Sequence, residues 1–290
     1  MKPKILLQID GDPHPSSFDS IVAIDSEVDQ LLTYGDVQVE QVTGLIHGAM
    51  FTRGPQDLNR TAAFFGGSNV GLTTRLFERA QECFFGPIRI SMMSDPNGSN
   101  TTAAAAVLCA RKHVELANTK VVILGGTGPV GRRIATLVAS RGAQVVVASR
   151  TKEKALSTCQ EIASGLPDQA TLEPVSITDS QSAVACLEGA DVVFSAGAAG
   201  VELLHGSWVD AVPNLQVAVD LNAVPPSGIG RVEVADKGVL RGNTSCYGAF
   251  GVGGLKMKIH RRSLRSLFES NDVILGLDEI YQIGSEIESV

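Results

Sequence analysis

KVVILGGTGPVGRRIATLVASRGAQVVVASRTK spans residues 120–152, and its reading decides the fold. Residues 120–124 form a short apolar run rich in β-branched side chains, the pattern of a buried strand. Gly126-x-Gly128-x-x-Gly131 follows directly, and Val130, Ile134, Leu137 and Val138 then recur at helical spacing. A second apolar run, residues 144–149, completes a strand–helix–strand unit. Three glycines at this spacing are weak alone; between a strand and an amphipathic helix they become a dinucleotide-binding fingerprint. Gly126 permits the tight turn, Gly128 lets backbone approach a pyrophosphate, and Gly131 lets helix and strand pack closely. Thr127 and Val130 share that loop and first turn, and Pro129 suits the first helical position, where its missing N–H costs little. Residues 126–131 are thus candidate dinucleotide contacts, and a ligand-free glycine turn is the competing reading that the context disfavours.

The end of the second strand selects the dinucleotide. An acidic residue there would bond the adenosine ribose hydroxyls and favour NAD. This chain has Ser149, Arg150, Thr151 and Lys152 instead. Arg150 offers a planar fork for a 2′-phosphate, Ser149 and Thr151 offer hydroxyls, and Lys152 adds charge. The expected cofactor is NADP, against the plainer reading of a solvated helix start.

Working outward, residues 191–196 and 215–221 read as further strands of the same sheet. Two loops leave their carboxyl ends, where open α/β sheets bind ligands. SAGAAG (195–200) is small enough for a cofactor to lie on its backbone, making Ser195, Ala196 and Gly197 candidates. DLNAVPPSGIG (220–230) puts Asn222, whose amide suits a nicotinamide, beside a Pro-Pro bend, with Asp220 assigned a structural role.

Upstream, residues 4–9, 61–67 and 88–93 read as strands, and 70–84 as a helix. Residues 17–32 read as one helix, with Phe18, Ile21, Val22 and Val28 roughly on one face. In SDPNGSNTTAAAAVLCARKHVE (94–115) a turn leads into an Ala-rich helix that Ser99 or Asn100 can cap. The tail reads as two helices returning toward the first domain. The expected class is therefore α/β with two domains: residues 1–117 completed by 265–290, and a Rossmann-type doubly wound domain over 118–264.

Composition excludes several functions. A net charge of −7 argues against a nucleic-acid partner. Cys83, Cys109, Cys159, Cys186 and Cys246 are scattered without a CxxC pair, so neither disulfides nor a metal site is expected. The longest apolar run, residues 103–110, is far short of a membrane span, and Asp10 interrupts the first one where a signal peptide would continue. A cytoplasmic protein is expected. His14, His47, His113, His205 and His260 join no Ser/His/Asp, Cys/His or HExxH set. The basic run Lys256, Lys258, His260, Arg261, Arg262 and Arg265 reads as a solvated helix face, although its first turn, after GVGG (251–254), can face a cleft.

SSFDSIVAID (16–25), FTRGPQD (51–57), FFGP (84–87), SDPNGSNTTAA (94–104), GGTGPVG (125–131), SAGAAGVELL (195–204), DLNAVPPSGIG (220–230) and GAFGVGGLKMKIHR (248–261) are long and unusual segments. Together they resemble the bacterial NADP-dependent methylene-tetrahydromethanopterin dehydrogenases, some of which also use methylene-tetrahydrofolate. The resemblance covers nearly the whole chain. It implies an amino-terminal pterin domain, a carboxyl-terminal NADP domain, a cleft between them, and a homo-oligomer such as a trimer. It also implies hydride transfer from the methylene pterin to NADP during formaldehyde oxidation. The Tyr-x-x-x-Lys signature of the bifunctional folate dehydrogenase–cyclohydrolases is absent, since Tyr34, Tyr247 and Tyr281 are followed four positions on by Gln38, Gly251 and Ser285. No cyclohydrolase activity is expected.

Hydride loss from a carbon between two nitrogens leaves a stabilised cation and no proton to remove, so no general base is required. A carboxylate beside the growing positive charge would help, and Asp19 and Asp25 are the candidates. Lys256 suits a substrate carbonyl or the orientation of the pterin. Asn100, Thr101 and Thr102, at a helix start, are candidate substrate contacts, with a structural cap the reading for at least one of Asn100 and Thr101. Two rivals stand beside this reading. A shikimate-type dehydrogenase shares a motif like Ser149-Arg150-Thr151 but needs an Asn-Val-Thr-x-Pro-x-Lys motif not found before residue 118. A non-catalytic NADP(H) sensor would keep only the glycine motif.

Overall fold

A computed structural model describes residues 2–167 and 170–289; the first and last residues of the expected first domain, Met1 and Val290, lie outside the described residues. The chain divides into two compact units. One holds the residues up to Thr101 and those from Met257 onward, and the other is Thr102–Lys256.

The first unit opens with β1 (Ile5–Asp10), α1 (Ser17–Asp25), β2 (Gln30–Tyr34), α2 (Val39–Phe51), β3 (Thr61–Gly66), α3 (Val70–Glu82) and β4 (Ser91–Ser94). Helix α4 (Ser99–Arg111) then carries the chain into the second unit. There β5 (Lys120–Leu124), α5 (Pro129–Ala139), β6 (Gln144–Ser149), α6 (Lys152–Ala163), β7 (Thr171–Ser176), α7 (Ser180–Cys186), β8 (Val192–Ser195), α8 (Trp208–Ala211), β9 (Val217–Asp220), β10 (Lys237–Arg241) and β11 (Thr244–Tyr247) follow. Helix α9 (Ala249–Ser266) returns the chain to the first unit, which ends in β12 (Ile274–Leu275) and α10 (Leu277–Ser289).

The first sheet has strand order β12-β4-β3-β1-β2, and every pair is parallel. Strands β3 and β4 are buried along their whole length, as parallel strands covered on both faces must be. Pairing of Ile274 and Leu275 with Met92 and Met93 brings the tail back into this sheet, as expected. The second sheet has order β10-β11-β9-β8-β5-β6-β7 and is parallel except where β10 meets β11. Its order reverses at β5, which lies between β6 and β8, and that switch point is where such sheets open a ligand crevice.

The helix expected over residues 17–32 stops at Asp25. The Ser26 amide bonds the Ala23 carbonyl and its hydroxyl the Val22 carbonyl, closing the last turn. Glu27 then takes a positive φ, and Gln30 begins β2, paired with β1. Phe18 and Ile21, expected inside, are 47% and 63% exposed, whereas Val22 and Val28 are buried. The strand expected at residues 88–93 is shorter and later, and β2, α2, β7, β10, β11 and β12 were not visible in the periodicity. Among the described residues, no helix is long and apolar enough to cross a membrane.

Each unit has its own core. Leu7, Ile9, Ile46, Met50 and Phe65 centre the first, and Val122, Leu124, Val193, Trp208 and Ala218 the second. Trp208 is fully buried, and its indole Nε1 donates to the Gly230 carbonyl at 2.8 Å. Replacing it removes a large apolar volume and orphans a buried acceptor. Trp208→Ala should cost about 3–5 kcal/mol, read as a lowered denaturation midpoint; a cost below about 1 kcal/mol would mean that the second core collapses around the gap.

Candidate functional site

The three glycines of the fingerprint do different work. A Cβ on Gly131 would stand 2.7 Å from the Gly125 carbonyl oxygen and 2.8 Å from Gly126 Cα, so the start of α5 rests on the loop's backbone. A Cβ on Gly126 would meet Val147 at 2.9 Å, so the turn itself lies against β6. At Gly128 a Cβ would make only ordinary contacts, 3.5 Å from the Gly125 oxygen and 3.6 Å from the Ala196 oxygen, and this residue lines a cavity in front of α5. The Arg132 amide bonds the Gly128 carbonyl at 2.9 Å, which makes Gly128 the cap of α5. The first-turn amides of α5 have no carbonyl behind them and point, with the positive end of the helix dipole, at whatever lies in front.

A cavity of about 460 Å³ lies there, at the carboxyl ends of β5, β6 and β8. Gly125, Thr127, Gly128 and Pro129 form one side, and Ser149, Arg150, Thr151 and Lys154 another. Ala196, Gly197 and Ala198 close it from the second loop, with Ile177, Val201 and Leu203 as apolar wall. The structure thus gathers Thr127, Gly128, Pro129, Ser149, Arg150, Thr151, Ala196 and Gly197 around one space. Gly126, Val130 and Gly131 support it without lining it.

The basic side of the cavity differs from the expectation in one residue. Lys152 opens α6 and is exposed but does not line the cavity, whereas Lys154, two residues on, does. The helical rotation of α6, absent from a linear reading, makes the difference. Arg150 and Lys154 are exposed and neither pairs with an acid among the described residues. Thr151 caps α6 without using its hydroxyl, which leaves that group to the cavity.

Ser195 and Asn222 sit deeper and do not line the cavity. Asn222 braces its own loop and ties it to the 195–200 loop: its Oδ1 accepts from the amides of Gly200 at 3.2 Å and Val224 at 3.0 Å, and its Nδ2 donates to the Pro226 carbonyl at 2.8 Å. These bonds engage both ends of the amide that the sequence offered to a nicotinamide. Asp220 accepts from the amides of Asn222 and Ile229, each at 3.1 Å, and burial pushes its carboxyl above the usual range. A Cβ on Gly228 would collide with Ser195 Oγ and Asp220 Oδ1, so that glycine lets the loop fold onto both.

The candidates near the first sheet fall into distinct surroundings. Asp95, fully buried, accepts from the amides of Asn100 at 2.8 Å and Thr101 at 3.2 Å, and from Thr101 Oγ1 at 2.6 Å. Asn100 Nδ2 donates to the Ser94 carbonyl at 2.6 Å. Asn100 and Thr101 therefore build the start of α4, and the half-buried Thr102 follows. Asp19 is buried in the first turn of α1, with Oδ1 at 4.0 Å from His260 Nε2. Asp10 borders the same Gly66 as Asp19, and burial pushes its carboxyl up against the pull of the Asp12 and Ser16 amides. Asp25 instead is half exposed and ion-paired with Arg261 at 3.0 Å. Lys256 is half buried on α9. Its neighbour His260, expected on a solvated face, is fully buried and stacked on Phe64 at 5.8 Å. The remaining basic residues of that run do face solvent, where Arg262 meets Glu269 and Arg265 meets Glu27. Lys154 was not singled out in the sequence, Asp10 was read there only as the end of an apolar run and His260 as a solvated base, because the surroundings of each depend on packing, not on a motif. Burial also raises the Cys186 and Cys246 thiols, each to about 11, so neither is poised as a thiolate.

Comparison with known proteins follows the same division. Residues 17–97 match the family model "Methylene-tetrahydromethanopterin dehydrogenase, N-terminal", and residues 108–233 match "Shikimate / quinate 5-dehydrogenase". The chain is 39% identical over 289 residues to "Bifunctional protein MdtA" of Methylorubrum extorquens, covering 99% of this chain and 100% of that one. It is 34% identical over 285 residues to the "NAD(P)-dependent methylenetetrahydromethanopterin dehydrogenase" of the same organism, covering 94% and 95%. Shikimate 5-dehydrogenase from Listeria monocytogenes, solved with shikimate and NAD, shares the fold at a TM-score of 0.54 and 13% identity, covering 97% of this chain and 96% of that one.

The glycine geometry separates folding from binding. Gly131→Ala should destabilise the protein by roughly 1–3 kcal/mol, because backbone atoms cannot move aside. Gly128→Ala should fold normally yet lose at least tenfold in dinucleotide affinity, about 1.4 kcal/mol, since its methyl enters the cavity. Thermal denaturation and nucleotide fluorescence titration check the pair, and an unaltered affinity in Gly128→Ala would remove the pyrophosphate from this loop.

Proposed function

From the premise that the chain belongs to the methylene-tetrahydromethanopterin dehydrogenase family, we propose that it transfers a hydride from methylene-tetrahydromethanopterin, or methylene-tetrahydrofolate, to NADP and releases the methenyl cation. Membership makes it a nicotinamide-dependent oxidoreductase acting on a one-carbon pterin. The preference for NADP, the acceptance of the folate, the place in formaldehyde oxidation and the lack of cyclohydrolase activity are the finer parts of the proposal. The observation that carries it is the cavity in front of α5, lined by Gly125 and Gly128 and by two cations, Arg150 and Lys154, that pair with no acid among the described residues. Among the described residues, no carboxylate lines it where an NAD-preferring site would bond the ribose.

NADP, when bound, is the hydride acceptor. The residues of the chain bind and orient. Thr127, Gly128 and the first turn of α5 hold the pyrophosphate, Val130 and Gly131 supply amides, and Gly126 with Pro129 shapes the loop. Arg150 grips the 2′-phosphate as a planar fork, with Lys154 as a second charge and the hydroxyls of Ser149 and Thr151 beside it. Ala196 and Gly197 leave a flat floor over the buried Ser195, and Asn222 holds the loop next to it.

Loss of hydride from the bridge carbon leaves charge shared by two nitrogens, and with no proton to remove the chemistry rests on alignment. Asp19 offers a buried carboxylate to the growing charge. Asp25 is weaker in this role, because solvent and Arg261 screen it. Lys256 takes a substrate carbonyl or orients the pterin. Thr102 follows the capped turn of Asn100 and Thr101 and contacts the substrate with it. The same family reading carries a homo-oligomer working in the cytoplasm without nucleic acid or membrane.

Two measurements test this. Arg150→Ala should raise the KM for NADP at least tenfold, since a charge-assisted phosphate contact is worth about 1.5 kcal/mol or more, and leave activity with NAD nearly unchanged. Lys154→Ala should act in the same direction, more weakly. An equal loss with both cofactors would show that Arg150 does not read the 2′-phosphate.

The second measurement concerns the product. Conversion of the methenyl cation onward needs an activated water, and the Tyr-x-x-x-Lys signature for it is missing. NADPH and the methenyl chromophore should therefore accumulate in equal amounts. Methenyl compound that disappears faster with the protein than in an enzyme-free control would make the protein a cyclohydrolase as well.

A further inference from the structure

Arg132 lies in the first turn of α5, is half buried, and does not line the cavity. Its Nε donates to the Thr127 carbonyl at 3.2 Å, its Nη2 to Thr158 Oγ1 at 3.1 Å, and its Nη1 pairs with Glu161 Oε2. One guanidinium thus uses three N–H groups on three acceptors, one in the loop and two on α6. Helical side chains lean toward the amino terminus, which is what carries an α5 residue back over the loop before it.

The other end of this bridge is held as well. Glu161 also accepts from Ser157 Oγ at 3.0 Å, and the bonds from Arg132 and then Ser157 keep its carboxyl below the usual range. Ser157, on the same helix, thus fixes the carboxylate that meets Arg132. The peptide linking Thr127 and Gly128 is pinned on both sides, since its carbonyl accepts from Arg132 and its N–H donates to the Gly125 carbonyl at 3.2 Å. That peptide lines the cavity, and α6, capped by Thr151 next to Arg150, carries Lys154.

We infer that Arg132, oriented by Glu161, is a positioning residue for the dinucleotide: a strut that ties the pyrophosphate loop to the helix that bears Lys154 and follows Arg150. The inference rests on the dinucleotide reading of the cavity. It assigns Arg132 no contact with the cofactor and no share in choosing NADP over NAD. The strut holds the loop that both nucleotides share, so it acts on both alike. Lysine cannot replace it, because an ammonium is a point charge without the planar fork that reaches three acceptors at once.

The test is nucleotide fluorescence titration with NADPH and NADH, on the full chain and on Arg132→Ala, Arg132→Lys and Glu161→Gln. Arg132→Ala should weaken both nucleotides by the same factor, on the order of tenfold, as small displacements of positioning groups do. Arg132→Lys should recover little of this, and Glu161→Gln, an exposed change that leaves folding intact, should give a smaller loss with the same equality. At saturating NADP, kcat and the KM for methylene-tetrahydromethanopterin should stay as in the parent protein, whereas a general loosening of the fold would move both. Unchanged affinity for both nucleotides in Arg132→Ala overturns the inference. So does a loss confined to NADPH, which would make Arg132 a reader of the 2′-phosphate, or full rescue by lysine, which would reduce its role to charge. If the parent protein binds neither nucleotide, the reading of the cavity fails and this inference falls with it; that result is distinct, because it precedes any substitution.

Discussion

The crossing of α5 over the end of β5 is the contact on which the second unit depends. Backbone there lies so close to backbone that a single methyl at Gly131 would have to displace the Gly125 carbonyl. Because the helix starts that near the sheet, its unpaired amides face the crevice where strand order reverses. The same closeness brings β6 and β8 within reach, so loops distant in sequence border one cavity. Arg150, Lys154 and the Ala196–Ala198 loop owe their shared surroundings to it.

Charge is divided between the two units in a way that suits hydride chemistry. The second unit offers cations and helix-end amides, the environment a dinucleotide's phosphates need. The first holds buried carboxylates, Asp10 and Asp19, bordering one glycine, with an imidazole 4.0 Å from the second. A reaction that removes hydride from a carbon between two nitrogens requires no proton-transfer dyad. What it requires is rigidity, and both units supply that through loops whose polar groups are consumed internally. Asp95 spends its carboxylate on the start of α4, and Asn222 spends its amide on the Pro-Pro bend.

The match of residues 108–233 to a shikimate dehydrogenase model and of residues 17–97 to a pterin one fits this division. A cofactor domain is constrained by the dinucleotide, which many dehydrogenases share; a substrate domain is constrained by a ligand they do not share. The solved shikimate enzyme, at 13% identity, shares the fold alone.

How much was legible follows from the same physics. Local signals were enough for the glycine turn, the strand before it and the amphipathic helix after it, because chain geometry alone demands them. The Ser149–Thr151 cluster at the end of β6 was equally readable, since its place in a strand–helix–strand unit puts it beside the loop. Residues 17–32 misled because apolar side chains recur at helical spacing through Val28, while the chain turns at Ser26 to pair Gln30–Tyr34 with β1. Strand pairing is a long-range bond, and no local periodicity reports it. Likewise Lys154 rather than Lys152 lines the cavity because of the rotation of α6, and His260 is buried because Phe64 lies against it. Spacing determined that this chain carries a Rossmann-type domain and which glycine loop lies at its switch point. Only tertiary packing decided which cations face the cavity, which carboxylates are buried, and which polar groups are already taken, since each of those depends on neighbours far away in sequence.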